Sequence, residues 1–323
     1  MRGLAILPIV AGHCYNALRW PPGSFSAHLT AVWTDLNTFF IFISGYLFQH
    51  LLARFAYPAY LKGKFRNVIV PYLIVSVPAV LVYATNWKSH PHFPQLIGSL
   101  PLWQKVPLLI LTGAHMGPYW FKPMMAVFYT MAPALVAMDK HPRSYIAIAP
   151  LLLVSVLLVP RPTYDLQPLQ AAVHYLPVYL LGMCVSHFHD RIIPLLTRWW
   201  AAMVALSIAF LGVIIYGSYA ALTFDRLPLT AFMCLTLLAL MSRFTPERVP
   251  ALDLLARYAF GIFFMHAYYV AALRQALTKW PELGEGSQLS FLVILVGVMT
   301  LSMMTVALVR RLFPAKSRLL IGS

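Results

Sequence analysis

The amino-acid sequence predicts an all-α, polytopic membrane protein, and three observations lead to that fold class. Hydrophobic residues make up 60% of the 323 positions and charged residues 10%, whereas soluble domains have about 45–50% and about 25%. Apolar runs long enough to cross a membrane recur along the chain. Basic residues fall mostly on one side of these runs. The composition therefore excludes a soluble globular domain, a disordered chain and a coiled coil.

Ten apolar runs are candidate membrane spans. A helix that crosses a hydrocarbon core of about 30 Å needs about 20 mostly apolar residues. The longest connection, 87–117, contains an apolar stretch at 106–112 that is too short to cross. Asp225 and Arg226 divide the long run from 199 to 242 into two helices. The ten predicted spans are 3–19, 31–52, 67–86, 118–138, 144–160, 170–187, 199–217, 227–242, 257–275 and 288–309.

The distribution of charge predicts the orientation. Ten spans place both termini on the same side of the membrane, and that side then carries sixteen of the 24 Lys and Arg residues. Since positive charge marks the cytoplasmic side, both termini are predicted to be cytoplasmic. Membrane anchoring thereby explains the formal net charge of +15, so nucleic acid is not an expected partner. We expect one integral membrane domain over 1–323, with no soluble domain appended.

Cysteine and paired histidines predict neither a disulfide nor a metal site. Cys14, Cys184 and Cys234 lie in apolar segments without paired spacing. The pair His187-x-His189 has no third ligand at a useful spacing. We interpret His187 and His189 as loop or interfacial residues.

The first span carries the most informative pair of residues, Arg2 and His13. They are eleven residues apart, which is close to three helical turns, so both side chains share one helix face. At about 1.5 Å per residue, His13 lies about 16 Å above Arg2, near the middle of the hydrocarbon core. An ionisable residue at that depth faces the bundle interior or a water-filled cavity. His13 is a candidate general base; a neutral histidine bonded to a neighbouring helix is the alternative.

The second span contains Asp35, Asn37 and the pair Ser44-Gly45. A carboxylate bonded to one imidazole nitrogen fixes the tautomer and makes the other nitrogen a better base, so Asp35 is a candidate catalytic partner of His13. Asp35 is predicted about one turn below the outer surface, where a solvated capping residue is the alternative. For Ser44 and Gly45, close helix packing through small residues is the favoured interpretation.

Five short sequence elements, spread over most of the chain, are informative when they are taken together. They are Arg2 followed by ten residues and His13, the run Phe39–Leu47 with Ser44-Gly45-Tyr46, Lys64–Tyr72, Tyr119–Phe121 and Tyr258–His266. This set resembles the acyltransferase-3 family of integral membrane acyltransferases. One departure is Lys122, which stands where the family commonly has an apolar residue after Trp-Phe. At the outer interface Lys122 can snorkel to water or contact an anionic acceptor, and we favour snorkelling.

The resemblance implies a membrane O-acyltransferase. Such an enzyme moves an acyl group, by preference acetyl, from cytoplasmic acyl-CoA to a hydroxyl of a sugar or glycan at the cell envelope. The implied location is the bacterial inner membrane. The implied co-substrate is acyl-CoA, usually acetyl-CoA, with no bound cofactor and no metal. The implied partners are the lipid bilayer, a saccharide or lipid-linked glycan acceptor and, as a further candidate, a separate envelope protein.

We hypothesise roles for four residues in such a transfer. His13 would act as general base on the acceptor hydroxyl, and acylation of His13 itself is the alternative. Arg2, Lys64 and Arg66 lie on the predicted cytoplasmic side. There they can bind the phosphates of CoA, or they can serve as plain positive-inside anchors.

The candidates for substrate binding are Asn37, Ser44, Trp120 and His266. Trp120 can stack on a sugar ring or belong to the interfacial aromatic belt. His266 lies about ten residues into the ninth predicted span, close to the depth of His13, so it can line the same cavity. A structural role for this histidine is the alternative.

A proton-coupled transporter or flippase of a saccharide precursor is the main competing hypothesis. His13 and Asp35 would then form a proton relay within the membrane. Against this hypothesis, no paired broken helices stand at corresponding positions of two halves. Turnover of acetyl-CoA by the purified protein in detergent, without a gradient, separates the two functions.

Overall fold

The computed structural model describes residues 2–34, 38–162, 166–216, 226–244 and 249–322. Within these ranges the chain is helical without strands, apart from one isolated bridge between Arg19 and Glu285. The all-α fold class is confirmed. The α-helices are α1 (Arg2–Tyr15), α2 (Phe25–Thr34), α3 (Thr38–His50), α4 (Tyr57–Lys64), α5 (Val70–Ala84), α6 (Pro94–Ser99), α7 (Leu102–Thr112), α8 (Phe121–Thr130), α9 (Ala132–Asp139), α10 (Ile148–Leu157), α11 (Pro168–His187), α12 (His189–Arg198), α13 (Trp200–Tyr216), α14 (Leu227–Phe244), α15 (Pro250–Lys279), α16 (Gln288–Leu312) and α17 (Ser317–Ile321).

Four shorter helical segments connect these helices. A π-helix, Phe65–Ile69, joins α4 to α5, so that Tyr57–Ala84 runs on as 28 residues. The other three are the 3₁₀ segments Leu52–Arg54, Pro142–Ala147 and Pro281–Gly284.

Every predicted span overlaps an apolar helix, although several spans are bent or short. By length and composition, the described residues contain five helices that can cross a membrane, or up to seven when each bent pair is one span. The pair α8–α9 bends by 58° and the pair α12–α13 by 71°. The multi-pass character is therefore clear, while ten as the number of crossings stays a prediction. The five long helices are Tyr57–Ala84, Pro168–His187, Leu227–Phe244, Pro250–Lys279 and Gln288–Leu312.

The first helix is shorter than predicted, because α1 ends at Tyr15 rather than continuing to residue 19. The Trp20 ring stacks on the ring of Tyr15, and its Nε1 donates to the Tyr15 carbonyl at 3.1 Å. Backbone hydrogen bonds then join Arg19 to Gly284 and Gly286, the loop between α15 and α16. These contacts turn the chain away from the helix axis. As a consequence, His13 lies in the last turn of α1 and not well inside a longer helix.

The helices α1 and α15 run in the same direction along their whole shared length. Near the start of α1, Gly3 lies against the backbone of Leu252 and Ala256, which a methyl group at Gly3 would overlap. Near its end, the Asn16 carbonyl accepts a hydrogen bond from Arg274 at 3.4 Å. Parallel packing requires an odd number of membrane crossings between the two helices, and a first and a ninth span have seven between them.

The helices α3 and α11 also run parallel and cross closely through two glycines. A methyl group at Gly45 would overlap the Tyr179 carbonyl, and one at Gly182 would overlap the Phe42 carbonyl. Near the C-terminal ends of both helices, Gln49 is 3.5 Å from the His187 ring nitrogen. The predicted close packing at Gly45 is therefore confirmed, since only glycine lets the two backbones approach this far.

The outward faces of the peripheral helices are apolar. Large aliphatic side chains on α16, among them Val293, Val296 and Met304, are more than half exposed. A soluble protein rarely exposes contiguous patches of this kind, whereas lipid-facing helices do. The buried core lies instead between α1, α3, α8, α11 and α15.

Candidate active site

Two histidines from the parallel helices lie side by side in the core. The ring centroids of His13 and His266 are 5.4 Å apart, and the ring planes are inclined at 45°. His13 comes from the last turn of α1, while His266 lies near the middle of α15. The two histidines that were predicted to lie at similar depths are therefore neighbours.

The protonation of the His266 ring follows from its hydrogen bonds. The side chain is fully buried, and its Nδ1 donates to the Ile262 carbonyl at 2.9 Å, one turn earlier in α15. In the neutral ring the other nitrogen, Nε2, therefore carries a lone pair. This Nε2 is buried without a hydrogen-bond partner. An unsatisfied acceptor in a core is costly, so we interpret His266 Nε2 as available to a neighbour or a ligand.

A loop at the predicted outer end of the bundle covers His13. A methyl group at Gly117 would lie 3.6 Å from the Cε1 atom of His13, and Gly117 itself is exposed. The loop is fixed by Tyr119, whose hydroxyl donates to the Phe264 carbonyl of α15 at 3.0 Å. Only this loop residue, Gly117, lies between the His13 ring and the protein surface on that side. The His13 ring is therefore close to the surface at the C-terminal end of α1.

The ionisable groups that act on His13 within the described residues are the His266 ring and the cations of Arg274 and Arg161. The predicted carboxylate partner, Asp35, and the predicted substrate ligand, Asn37, lie outside the described residues, so both assignments stay predictions.

Trp120 lies beside this outer region, in contact with two partners. Its ring stacks on that of Tyr175 at a centroid distance of 5.6 Å, and the Arg161 guanidinium lies 5.3 Å from the Trp120 ring centroid. Both contacts use aromatic surface that a sugar would need. Sugar stacking at Trp120 stays a prediction, and it requires Arg161 or Tyr175 to move.

On the other side of the core, a cavity of about 670 Å³ opens between α3, α4, α8 and α15. Ser44 lines it, and its hydroxyl donates to the Phe40 carbonyl at 2.8 Å. The basic residues in the lining are Arg54, Lys64, Lys122 and Arg318.

The cavity includes one of the three residues predicted to bind CoA. Lys64 is part of the lining, half-buried, with its ammonium group about 5 Å from the ring centroids of Tyr60 and Tyr129. Arg66 is exposed and is not part of the lining. Arg2 begins α1, whose next residue, Gly3, packs on the lining residue Ala256. The structure thus places the start of α1 next to the cavity.

Lys122 is buried, which corrects the prediction that it snorkels at the outer interface. Only 1% of its surface is exposed, and it lines the cavity. The prediction failed because α8 begins at Phe121. The residues expected to form the outer turn of that span belong instead to the loop over His13. Lys122 therefore lies inside the bundle.

A wall of aromatic rings separates the cavity from the histidine pair. The Phe263 ring centroid lies 4.1 Å from Lys122 Nζ on the cavity side and 6.0 Å from the His266 ring centroid. Phe40 and Phe121 extend the wall, at 6.4 and 5.8 Å from Phe263. We call Phe40, Phe121 and Phe263 the aromatic wall. It divides the core into an outer compartment with His13 and an inner one with the basic cavity.

Histidines of the 87–117 connection have structural partners. His115 donates from Nδ1 to the Leu109 carbonyl at 2.8 Å, and its Nε2 lies 2.8 Å from the Ser76 hydroxyl. Burial lowers the pKa of His115 to about 4. His90 holds the same connection through Ala114, whose carbonyl is 3.0 Å from its Nε2, and burial lowers its pKa as well.

A carboxylate network at the predicted cytoplasmic end was not expected from the sequence. Asp139 accepts hydrogen bonds from Tyr145 and from the Nδ1 of His187, the latter at 2.9 Å. His189 Nδ1 lies 2.8 Å from the Tyr46 hydroxyl. His187 ends α11 and His189 begins α12, so neither is a loop residue, while an interfacial position for both stays a prediction. The acidic residue directly after a predicted span was the available signal. Among the residues that the structure describes, no three His, Cys, Asp or Glu side chains are grouped to hold a metal ion.

Comparison with known proteins identifies the family. The acyltransferase-3 family model, which describes an acyltransferase domain, matches residues 1–307. That range includes the histidine pair, the aromatic wall and most of the cavity lining. Comparison with curated proteins found no match, and neither did comparison with solved structures. On the family match and its apolar helices, the chain belongs to the acyltransferase-3 family and is a multi-pass membrane acyltransferase.

Proposed function

We propose that the protein transfers an acyl group from cytoplasmic acyl-CoA to a hydroxyl of a sugar or glycan at the bacterial inner membrane. One observation carries the proposal: a histidine pair on one side of the aromatic wall and a basic cavity on the other. Acyl transfer across an envelope membrane needs these two compartments, because the donor and the acceptor approach from opposite sides.

The cavity suits a CoA thioester. Its volume of about 670 Å³ falls in the range of about 300–1,000 Å³ typical of small-molecule sites. Arg54, Lys64 and Arg318 in its lining supply positive charge for the phosphates. Arg2 and Arg66 would add to this charge at the rim. Aromatic and aliphatic lining would accommodate the pantetheine arm.

His13 is the proposed general base. It would take the proton from the acceptor hydroxyl as the oxygen attacks the thioester carbonyl. An ester bond then forms, the carbon–sulfur bond breaks, and the proton passes to the CoA sulfur. General base catalysis of this kind contributes about 10²–10⁴-fold. Acylation of His13 followed by transfer to the acceptor is the alternative sequence of steps.

His266 is the proposed positioning residue for His13. Its unprotonated Nε2 can accept a hydrogen bond from His13 once His13 has taken the proton, which stabilises the imidazolium form. Asp35 would serve a similar purpose from the second predicted span. The carbonyl bond of His266 Nδ1 keeps the ring in the tautomer that this role needs.

The aromatic wall would keep water and protons from crossing between the compartments. The thioester must reach His13 past Phe263, so this side chain has to rotate or the acyl arm must pass beside it. Ser44, on the cavity side, would contact the donor.

The proposal is tested with purified protein in detergent, supplied with acyl-CoA and a sugar acceptor, by following release of the CoA thiol and the mass of the acceptor. Acetyl-CoA is the first donor to test, since acetyl is the acyl group that the family resemblance implies. His13→Ala should abolish transfer at normal abundance and unchanged thermal stability.

The matched control is His141→Ala, since His141 is exposed and remote in sequence from both compartments. It should retain full transfer. Retained transfer in His13→Ala would contradict the role of His13. A protein that moves a saccharide only with a gradient, and releases no CoA thiol, would instead be the transporter of the competing hypothesis.

A further inference from the structure

Lys122 lies in an aromatic enclosure with nothing in the described residues to balance its charge. Its Nζ is 4.0 and 4.1 Å from the ring centroids of Phe260 and Phe263, and 5.0 Å from that of Phe264. Ring faces attract a cation, but they provide no anion and no hydrogen-bond acceptor comparable to an oxygen. A bound anion would stabilise the ammonium form of Lys122 against burial and against the positive charge of Lys64.

A second buried lysine shows how this chain satisfies an ammonium group that has a purely structural role. Lys105 is 2% exposed, and its Nζ donates to the Asn86 side-chain oxygen at 2.8 Å and to the Gly98 carbonyl at 3.4 Å. Burying a charge without such partners is expensive. Within the described ranges, Lys122 has no hydrogen bond or ion pair of this kind, so an anionic group of a ligand would stabilise its ammonium form.

The position of Lys122 indicates which part of a ligand it would contact. The cavity's other basic residues are exposed or half-buried: Arg54 and Arg318 at the surface, and Lys64 further in. Lys122 is buried at the far end, against Phe263 of the aromatic wall. If the CoA phosphates bind at the exposed cations, the thioester end points inward. The acyl group would then meet Lys122.

We propose that Lys122 binds a carboxylate at the far end of the acyl group, so that the preferred donor is the CoA thioester of a dicarboxylic acid, such as succinyl-CoA. This inference rests on the proposed function and specifies its donor. An acetyl group offers nothing to a buried ammonium, whereas a terminal carboxylate forms a charge-assisted hydrogen bond with it. The product is a sugar ester with a free carboxylate. The thioester bond breaks, the ester bond forms, and the hydroxyl proton leaves on the CoA thiol.

The test compares three donors with the wild-type protein: succinyl-CoA, acetyl-CoA and 4-methylpentanoyl-CoA, whose branched end has the shape of the carboxylate without its charge. The kcat/KM of the wild type should be at least about tenfold higher for succinyl-CoA than for the other two. Lys122→Met, which keeps the length and apolar stem of the side chain, should lower the value for succinyl-CoA by about 100-fold or more. It should raise the value for 4-methylpentanoyl-CoA.

Two controls distinguish a contact with the acyl group from a contact with CoA itself. Free CoA, which has no acyl group, should inhibit the wild type and Lys122→Met with the same inhibition constant. If Lys122 instead bound a CoA phosphate, the variant would weaken that inhibition, and the proposal would fail. Lys122→Arg keeps the charge and should restore part of the preference for succinyl-CoA.

Folding is checked by thermal unfolding in detergent. Lys122→Met should unfold at the same temperature as the wild type or higher, since it removes a buried charge. Succinyl-CoA should raise the unfolding temperature of the wild type much more than that of Lys122→Met.

If the wild type turns over acyl-CoA without preferring the carboxylate, or if Lys122→Met slows all donors alike, the role of Lys122 is overturned and the proposed function stands. If the wild type turns over no CoA thioester, both are overturned.

Discussion

His13 and His266 lie with their ring centroids 5.4 Å apart. They belong to α1 and α15, which run in parallel from the contact of Gly3 with Leu252 to the contact of Asn16 with Arg274. The Nε2 atom of His266 is buried and has no hydrogen-bond partner. Under the proposed mechanism, a protonated His13 would turn towards this nitrogen and donate a hydrogen bond to it. This is the arrangement expected of a base that must hold a proton briefly and release it.

The first prediction concerns the positioning role of His266. His266→Phe fills the same space but removes the Nε2 lone pair, so it should lower kcat about 10- to 100-fold while changing the donor KM little. His266→Gln, which keeps an acceptor oxygen, should recover part of this loss. The measurement is kcat and KM for the acyl-CoA donor. Equal damage to kcat and to thermal stability in both variants would mean a purely structural histidine.

The second prediction concerns the aromatic wall. Phe263→Ala removes the ring between Lys122 and His266, so water should reach the thioester more easily. Hydrolysis of acyl-CoA without acceptor should rise relative to transfer. Phe210→Ala is the control, because Phe210 is exposed on α13, and it should leave the ratio as in the wild type. An unchanged ratio in Phe263→Ala would contradict the barrier.

The third prediction concerns the crossing of α3 and α11. Gly45→Ala and Gly182→Ala each force a methyl group into a carbonyl of the opposite helix, so each should destabilise the protein by about 3 kcal/mol or more. Gly297→Ala in α16 is the matched control, because no atom lies within 4 Å of the new methyl group. It should be neutral or slightly stabilising, since alanine favours the helix by up to about 1 kcal/mol. Thermal unfolding in detergent measures all three.

The fourth prediction concerns acid and the 87–117 connection. Since burial lowers the pKa of His115 to about 4, and the unfolded chain has a value of about 6.5, the unfolded state binds the proton more readily. His115 therefore contributes its full stability above about pH 6.5, and that contribution is lost as the pH falls towards 4. Between pH 7 and pH 5 the loss is about 2 kcal/mol.

Amide hydrogen exchange of residues 87–117 measures this loss directly. Protection in the wild type should fall between pH 7 and pH 5, after correction for the intrinsic exchange rate. His115→Asn, which does not titrate, should have lower protection at pH 7 but a flatter dependence on pH. The same slope in both proteins would assign the effect to other groups.

Composition and hydropathy were sufficient for the fold class, the approximate positions of the apolar helices and the expectation that His13 and His266 lie at similar depths. These follow from local rules: apolar length determines whether a helix can cross, and spacing along a helix determines depth. The end of α1 at Tyr15 did not follow from such rules. It depends on the Trp20 ring and on backbone bonds from Arg19 to the 284–286 loop, a contact between segments far apart in sequence.

The burial of Lys122 could not be predicted for a similar reason. Its sequence position places it at the start of a span, where lysine ordinarily reaches water. Its actual surroundings are rings from α15, about 140 residues later in the chain. The cavity and the Asp139–His187 contact likewise arise only when distant helices meet.

The parallel pairing of α1 and α15 has a consequence for how the protein is made. The helix that carries His13 leaves the ribosome first, and its partner follows about 250 residues later. During synthesis α1 therefore enters the membrane before α15, the helix that contacts its Gly3 and His13. The pairing of His13 with His266 therefore cannot form until α15 has been made.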